Sequence, residues 1–426
     1  MTAQRIQGKA MAVARAITLR AALPVTLTAF ALLCAGTASA DWEFDPMLRV
    51  AWDYDDNATL SVRTDQEEQI SGAIGEASVD FRNRSERGFF SLRPTLRSRR
   101  YNSDLDRDSD DQFLDIRAAY NGARHDFRLV GDYSREAVRT AELADANLDT
   151  GEDPGDIPDD DTGRISSSER RERLRFNPRW SYNISDVSTI DADVNFLTVD
   201  YSDRQPLSGL YDYTDARLRL SYRRNFSSRN TGLITLTARD YTTERANGDR
   251  TGYGVEAGFN RALSETTEFR ALVGVEQTDR EDIAGTSSTT DPNFVTDISL
   301  TRRLETISLL AQYRQRVAPS GRGDLTKRDE FNLRFTRDLN DRFSAGLGVR
   351  AYQTNSVDGQ VNEQDYVQLR GQVIWRLTQA FSMQADYRYT VLNRAVLGEG
   401  ANSNRISVWF TYQPNPLGRN RQAISR

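Results

Sequence analysis

Arginine is the residue type in this chain with the clearest chemical potential, because it recurs at every second position in several segments. Arg171, Arg173 and Arg175 follow this spacing, and Arg217 and Arg219 repeat it. Guanidinium groups bind carboxylate or phosphate oxygens through paired hydrogen bonds and stay charged at any physiological pH. Lysine occurs only twice in the chain, so nearly all of the positive charge is carried by arginine. A surface built in this way favours anionic solutes.

Acidic residues occupy the same alternating positions as the arginines. Pairing between Arg and Asp on adjacent segments would neutralise much of the positive field. Two interpretations therefore stay open, namely a path selective for anions or polyanions and a weakly selective surface of mixed charge. The residues predicted to line this polar surface, and with it a pore, are Arg171, Arg173, Arg175, Arg217, Arg219, Arg334, Arg350, Arg370, Arg388, Asp115, Asp191, Asp193 and Asp386.

Strands must position these side chains, because polar and apolar residues alternate with a period of two. The alternation runs from Val367 to Trp375 and, after a short connection, resumes from Phe381 to Tyr389. A period of two is that of a β-strand, whereas a helix repeats every 3.6 residues. Eighteen such segments follow one another within residues 41–413. Pro94 and Pro178 interrupt two of them and predict a bulge or a local irregularity there.

The connections between these segments alternate between short and long along the whole chain. Residues 83–86 and 377–379 are predicted short turns, whereas 138–168 and 318–327 are predicted long loops. Barrels of bacterial outer membranes have short periplasmic turns, longer outer loops and an even strand number. Because hydrocarbon cannot satisfy backbone N–H and C=O groups, a sheet in lipid must close on itself. We predict an all-β fold, a transmembrane antiparallel up-and-down β-barrel of about 18 strands; the alternative is a soluble sandwich or propeller.

Residues 1–40 have the parts of a secretory signal peptide. Four basic residues and no acid precede an apolar run from Ala21 to Leu33, and Ala38-Ser39-Ala40 is the expected cleavage site. The only cysteine, Cys34, would be removed with this segment, so the mature chain would contain no disulfide. Its net charge would change from −6 to about −10. We expect residues 41–413 to form the barrel and residues 414–426 to form a C-terminal periplasmic tail.

Catalytic and metal-binding chemistry have little support in the sequence. The single histidine, His125, is expected beside a short turn at the periplasmic rim, whereas a serine–histidine hydrolase of outer-leaflet lipid would need it at the other end. The chain has no Cys and His cluster with metal-ligand spacing and no glycine-rich phosphate loop in a strand–helix unit. We therefore predict no enzyme activity, no metal site, no cofactor and no nucleic-acid partner.

The longest predicted loop, residues 138–168, contains nine acidic residues among glycines and prolines. This composition is typical of a solvated outer loop. A sharper hypothesis is a divalent-cation site, since Ca²⁺ prefers several carboxylate oxygens. Such a site would bridge the loop to lipopolysaccharide, or the loop would fold inward as a constriction.

The stretch Trp52-Asp53-Tyr54-Asp55-Asp56-Asn57 directly follows the first predicted strand and precedes a polar loop. It resembles the start of the beta-barrel porin 2 families. The resemblance implies an outer-membrane barrel, and some members of those families are associated with exopolysaccharide synthesis and secretion. Helical-repeat domains are fused to some polysaccharide exporters; no such domain is predicted here, so a partner of that kind would be a separate chain.

Together these features predict a pore of the bacterial outer membrane, a passive conduit for saccharides or for an exported exopolysaccharide. One alternative is a non-conducting surface barrel with a structural or adhesive role. A second alternative is a general diffusion porin that leans towards anions. The expected partners are outer-membrane lipid, lipopolysaccharide, the barrel assembly machinery and periplasmic polysaccharide-export proteins.

Overall fold

The structure, a computed structural model, describes residues 42–62, 67–103, 107–138, 169–202, 209–246, 248–281, 287–289, 292–357, 364–394 and 399–414. Its strands are β1 Trp42–Asp55, β2 Ile70–Arg84, β3 Gly88–Asn102, β4 Ser109–Asn121, β5 His125–Ala137, β6 Arg170–Ser185, β7 Ser188–Ser202, β8 Tyr213–Ser227, β9 Asn230–Thr243, β10 Arg250–Ser264, β11 Thr267–Glu281, β12 Asn293–Arg303, β13 Ile307–Ser320, β14 Asp324–Asp338, β15 Phe343–Ser356, β16 Gln364–Arg376, β17 Phe381–Arg394 and β18 Glu399–Tyr412. A short segment, Ser287–Thr289, pairs with the end of β11 just before β12 begins. No helix within these ranges is long and apolar enough to cross a membrane.

The sheet closes into a barrel. Every strand pairs antiparallel with the next one along the chain, and β18 pairs with β1. The predicted barrel of eighteen strands is therefore confirmed. The turns at one end contain two to four residues, whereas seven of the nine connections at the other end contain six or more; the exceptions there are β13–β14 with three and β17–β18 with four. Because short turns mark the periplasmic side of such barrels, the first and last strands begin and end in the periplasm.

The outer face of the barrel is apolar and exposed. On β1, Leu48, Val50 and Trp52 are all more than half exposed, whereas the intervening Ala51 and Asp53 are buried. The same alternation continues around the sheet, as its many exposed aliphatic and aromatic side chains show. A continuous apolar face of this kind is stable against lipid, and closure removes the edges that hydrocarbon could not solvate.

Aromatic rings collect on this face near the periplasmic turns. Phe343 stacks on Trp375 with ring centroids 5.6 Å apart. His125 lies at the start of β5 between Trp180 and Tyr182, and Trp180 Nε1 donates a hydrogen bond to His125 Nδ1 at 3.2 Å. Such rings are typical of the membrane interface. The histidine therefore lies at the periplasmic rim, as its position in the sequence predicts.

Pro94 of β3 and Pro178 of β6, the two prolines predicted to disturb their strands, interrupt the ladder without shifting its register. Between β2 and β3 the bridges stop at Ser78 and resume at Phe81 with the same register. The β6–β7 ladder has the same gap at Pro178. In an antiparallel strand the N–H and C=O of one residue face the same neighbour, so proline removes bonding towards one side only. The predicted irregularity is thus a local gap, and no bulge forms at either proline.

The stretch from Trp52 to Asn57 holds the seam where the barrel closes. Arg405 donates two hydrogen bonds to the Asp53 carboxylate, at 2.9 and 2.8 Å. Further contacts reach β18, among them Ser403 Oγ to Asp55 at 2.7 Å, Asn404 N to Asp56 at 2.7 Å and Asn57 Nδ2 to Asn402 O at 3.0 Å. Every polar residue of this stretch except Tyr54 therefore connects the first strand to the last. Closure explains why acids and an amide occur at the end of β1 and directly after it.

Candidate functional site: the barrel interior

The interior face of the sheet carries all thirteen residues that the sequence analysis singled out. Each lies on the side of its strand opposite to the exposed apolar residues, because side chains alternate along a strand. Ion pairs that involve these residues include Arg171–Glu136 (3.7 Å), Arg173–Asp132 (2.7 Å), Arg175–Asp132 (2.6 Å), Arg179–Asp193 (3.1 Å), Arg217–Asp215 (3.0 Å), Arg219–Glu256 (3.1 Å), Arg223–Asp191 (2.6 Å), Arg350–Glu330 (2.7 Å) and Arg370–Asp386 (2.7 Å). Only the last of these joins two of the thirteen.

The remaining members differ in their cross-strand neighbours. Arg388 on β17 faces Arg370 on β16 and Arg405 on β18. Asp115 on β4 lies opposite Asp132 on β5. Arg334 lies on β14, opposite Leu310 and Gly348. A role for the thirteen residues in lining a conducting path stays a prediction, but their cross-strand pairing is of the kind that neutralises a positive field.

A buried carboxylate that the sequence analysis did not single out organises one part of the wall. Glu330 on β14 is fully buried and accepts hydrogen bonds from Arg350 Nε at 2.7 Å and Arg316 Nη2 at 3.1 Å. Arg314 Nη2 lies 3.6 Å from the same carboxylate. Alternation alone places Glu330 on the interior face, but its burial depends on what folds over it.

That covering segment comes from strands β13 and β14. β13 pairs with β12 only as far as Gln315, opposite Thr296, although it continues to Ser320. β14 pairs with β15 only from Thr326 onwards. Residues 316–325, the hairpin tip, therefore pair only across the β13–β14 hairpin itself within the described ladders. The tip has left the wall of the barrel.

The burial of Val317 shows where the tip goes. If the β12–β13 register continued, Val317 would lie beside Phe294 on the lipid face. Phe294 is 53% exposed, whereas Val317 is completely buried and belongs to one apolar cluster with Tyr213 and Tyr241 of β8 and β9. Three strands, β10 to β12, lie between β9 and β13 in the sheet. The hairpin tip can reach β8 and β9 only by bending inward, so it crosses part of the barrel opening.

Polar contacts fix the hairpin tip against the far wall. The Val317 carbonyl accepts hydrogen bonds from Arg217 at 3.3 Å and Arg239 at 3.2 Å. The Tyr211 N–H donates to Gly321 O at 2.8 Å, and Arg245 lies 3.2 Å from the Asp324 carboxylate. These contacts reach the tip from several elements at once, so it is docked and does not project into solvent.

The predicted outer loop at 318–327 is therefore wrong. Only residues 321–323 separate β13 from β14, and Gly323 adopts the positive φ of +74° that this tight turn needs. The sequence carried a signal that was not used, since Val317, Ala318 and Leu325 are too apolar for a solvated loop. Their burial in the tip cluster is the physical reason for the difference.

A second apolar cluster fills the interior near the closing seam. Leu60, from the β1–β2 connection, packs with Tyr352, Tyr366, Leu392 and Ala401, all on the interior face of β15 to β18. Asn57 shapes this connection, because its side chain bonds both Ser61 N and Ser61 O at 2.9 Å. The outer half of the interior is therefore covered from two sides.

The acidic segment lies almost entirely outside the described residues, since only Val138 of the predicted loop is seen. Both hypotheses about it, a divalent-cation site and an inward constriction, stay predictions. In the part of the chain that is described, no group of three or more His, Cys, Asp and Glu residues is arranged to hold a metal ion.

The periplasmic half of the interior differs from the outer half, because its arginines are exposed. The side chains of Arg93, Arg179 and Arg223 are 46%, 50% and 44% exposed although they face the interior. By contrast, Arg239 and Arg350 in the outer half are 1% and 2% exposed. A solid interior would bury all of these groups, so the periplasmic half encloses solvent.

No family model and no curated protein matches this chain. Solved structures with a similar outline include OccAB4 of Acinetobacter baumannii, at TM-score 0.44 and 11% identity over 88% of this chain and 98% of that one. OccK5 (OpdH) of Pseudomonas aeruginosa has TM-score 0.43 and 8% identity, covering 88% and 98%. The outer membrane channel DcaP of Acinetobacter baumannii has TM-score 0.42 and 12% identity, covering 89% and 98%.

The membrane assignment rests on the barrel itself. A closed antiparallel sheet with an exposed apolar outer face, short turns at one end and aromatic rings beside them has the features of an outer-membrane barrel. This chain forms a β-barrel of the bacterial outer membrane.

Proposed function

We propose that the barrel is a passive channel for hydrophilic solutes, with saccharides or an exported exopolysaccharide as its cargo. The observation that carries the proposal is the exposure of interior guanidinium groups such as Arg179 and Arg223, which requires water inside the barrel. Barrels of ~16 to 18 strands have room for such an aqueous path. The saccharide cargo draws on the resemblance of residues 52–57 and on the polar, arginine-rich interior.

A second candidate is a non-conducting barrel with a structural or adhesive role at the cell surface. The docked hairpin tip and the two apolar clusters of the outer half favour it, because they fill part of the interior. The two candidates differ in whether a continuous aqueous path remains beside the tip. The third candidate is a general diffusion porin with weak selectivity for anions, which differs from the first candidate in its cargo.

Planar-bilayer conductance separates the first two candidates. We expect steps of ionic current from the purified wild-type barrel, and swelling of proteoliposomes in maltotriose if saccharides pass. Variants that lack residues 139–168 or the hairpin tip should conduct at least as well. A trace that stays closed at all voltages, in the wild type and in both variants, would contradict the channel. Current without any swelling in maltotriose would contradict the saccharide cargo and leave the diffusion porin.

A further inference from the structure

The interior of β4 to β6 carries three arginines near the periplasmic turns, none of which is among the thirteen residues predicted from the sequence. Arg128 on β5 lies directly opposite Arg179 on β6. Arg117 on β4 is one diagonal step from Arg128, because its own partner on β5 is Val130. All three arginines are exposed and face the interior. We call Arg117, Arg128 and Arg179 the mouth patch.

Two like charges directly opposite each other destabilise a sheet, and elsewhere the barrel compensates for them. Arg217 and Arg239 also face each other, on β8 and β9. They share the carboxylate of Asp215, which lies 3.0 Å from Arg217 Nε and 2.6 Å from Arg239 Nε. An acid of the protein itself thus neutralises that arginine pair, and both arginines are largely buried.

Among the described residues, only one arginine of the mouth patch has an acid of the protein as its ion-pair partner. Arg179 is paired with Asp193 at 3.1 Å. Arg117 and Arg128 have no carboxylate within the 4.0 Å ion-pairing distance among the residues that the structure describes. Asp115 and Asp126, on the same strands and the same face, are the acids two residues away, and neither forms an ion pair with them.

We propose that the mouth patch is a binding step for the anionic groups, carboxylate or phosphate, of a solute that passes the periplasmic mouth. The proposal rests on the proposed channel function, because solutes reach the patch through the hydrated interior. An anion between Arg128 and Arg179 relieves their repulsion and accepts bidentate hydrogen bonds that guanidinium forks favour. The buried arginines of the outer half, such as Arg239 and Arg350, cannot offer such a site, since they are shielded from solutes and already paired with Asp215 and Glu330.

Calorimetric titration of the detergent-solubilised full barrel with trigalacturonate tests the carboxylate source, and titration with inorganic phosphate tests the phosphate source. Maltotriose, which has no charge, is the ligand control. The site variant is R117Q/R128Q, and the matched control is R223Q, which removes a charge from the same half of the interior where Arg223 is already held by Asp191. We expect R117Q/R128Q to weaken binding of one or both anions by on the order of tenfold, and R223Q to change it less than twofold.

Several results would overturn the mouth patch. They are equal weakening by R223Q, binding of maltotriose as tight as that of the anions, and absence of anion binding to the wild type. A D126N variant adds a second check, because removal of a nearby acid should tighten anion binding at this site. The channel hypothesis is tested independently of the binding site. A barrel that binds trigalacturonate through Arg117 and Arg128 but never conducts would support the site and contradict the proposed function.

Discussion

The two ends of the barrel interior use the same residue types in opposite ways. At the outer end, arginines such as Arg239 and Arg350 are buried in ion pairs beneath the hairpin tip. At the periplasmic end, Arg117, Arg128 and Arg179 are exposed to the interior. The difference comes from the chain segments that fold inward at one end only. Polarity of the interior face is therefore not by itself a measure of how wet the interior is.

Burial changes what a charge does in such a wall. A buried and ion-paired arginine holds strands together, because removing its partner would leave an unsolvated charge. An exposed arginine contributes little to stability, since water screens it, but its donors remain available to a solute. The outer half is thus built for stability and narrowing, and the periplasmic half is suited to contact with solutes.

The largest expected effect comes from removing the hairpin tip. Residues 318–326 can be replaced by Asn-Gly, which forms a two-residue hairpin turn. The residues Val317 and Lys327, which pair with each other, then flank this turn. Single-channel conductance should rise roughly threefold or more, since a barrel of this size leaves an aqueous channel where no segment obstructs it. We expect this rise because the hairpin tip narrows the outer end of the barrel and not the periplasmic end.

The matched control for the tip is the connection 395–398, which joins β17 and β18, two strands that stay in the wall. Its replacement by Asn-Gly should leave conductance within the spread of the wild type. If both variants conduct like the wild type, the tip does not limit the path, and the narrow point lies in the periplasmic half.

A smaller effect, on the stability of the barrel and not on its conductance, is expected from breaking one ion pair at each end. Asp53 and Asp191 each accept two hydrogen bonds from one arginine and one from a serine. The Asp53 side chain is fully buried, whereas Asp191 faces an arginine that is 44% exposed. We expect Asp53→Asn to lower the free energy of unfolding by ~3–5 kcal/mol and Asp191→Asn to lower it by about 1 kcal/mol or less.

Urea unfolding of both variants in lipid vesicles, followed by tryptophan fluorescence, measures this difference. Both substitutions remove one charge and keep the size of the side chain; the two sites differ in the burial of the pair and in the further hydrogen bond that Asp53 accepts from the Tyr101 hydroxyl at 2.9 Å. Equal losses of stability would mean that the closing seam is as hydrated as the periplasmic half, and the contrast between the two ends would not hold.

The sequence predicts the architecture well because its signals are local. Alternation with a period of two fixes which face each residue takes, and short turns fix the order of the hairpins. These two rules alone place Arg370 and Asp386 on the interior face of adjacent strands. They also place the stretch from Trp52 to Asn57 at the outer end of β1, although its bonds to β18 could not be foreseen across more than three hundred residues.

The functional features depend on contacts that no local rule determines. The inward turn of the hairpin tip requires Val317 to meet Tyr213 and Tyr241, which lie on strands far away in the sequence. Arg128 and Arg179 face each other only in one register of β5 and β6. Because residues 138–169 join those strands, the length of the turn gives no information about that register.

The smallest effect concerns the docking of the hairpin tip at one glycine. A Cβ at Gly323 would lie 2.7 Å from Arg245 Cβ and 3.1 Å from Tyr211 Cβ, and the φ of +74° is unfavourable for alanine. Gly323→Ala should therefore loosen the tip at a cost of about 1 kcal/mol. Hydrogen exchange of the amides in residues 317–325 should become several times faster, while the barrel strands keep their protection.

Gly371→Ala is the matched control, because its Cβ would meet no atom within 4 Å on the outer face of β16. Exchange in the tip should not change in that variant. If Gly323→Ala also leaves exchange unchanged, the tip tolerates displacement of its turn and the contacts at Val317 alone hold it. If exchange rises in the tip and conductance becomes noisier, the same docking that buries the outer arginines also sets the width of the path.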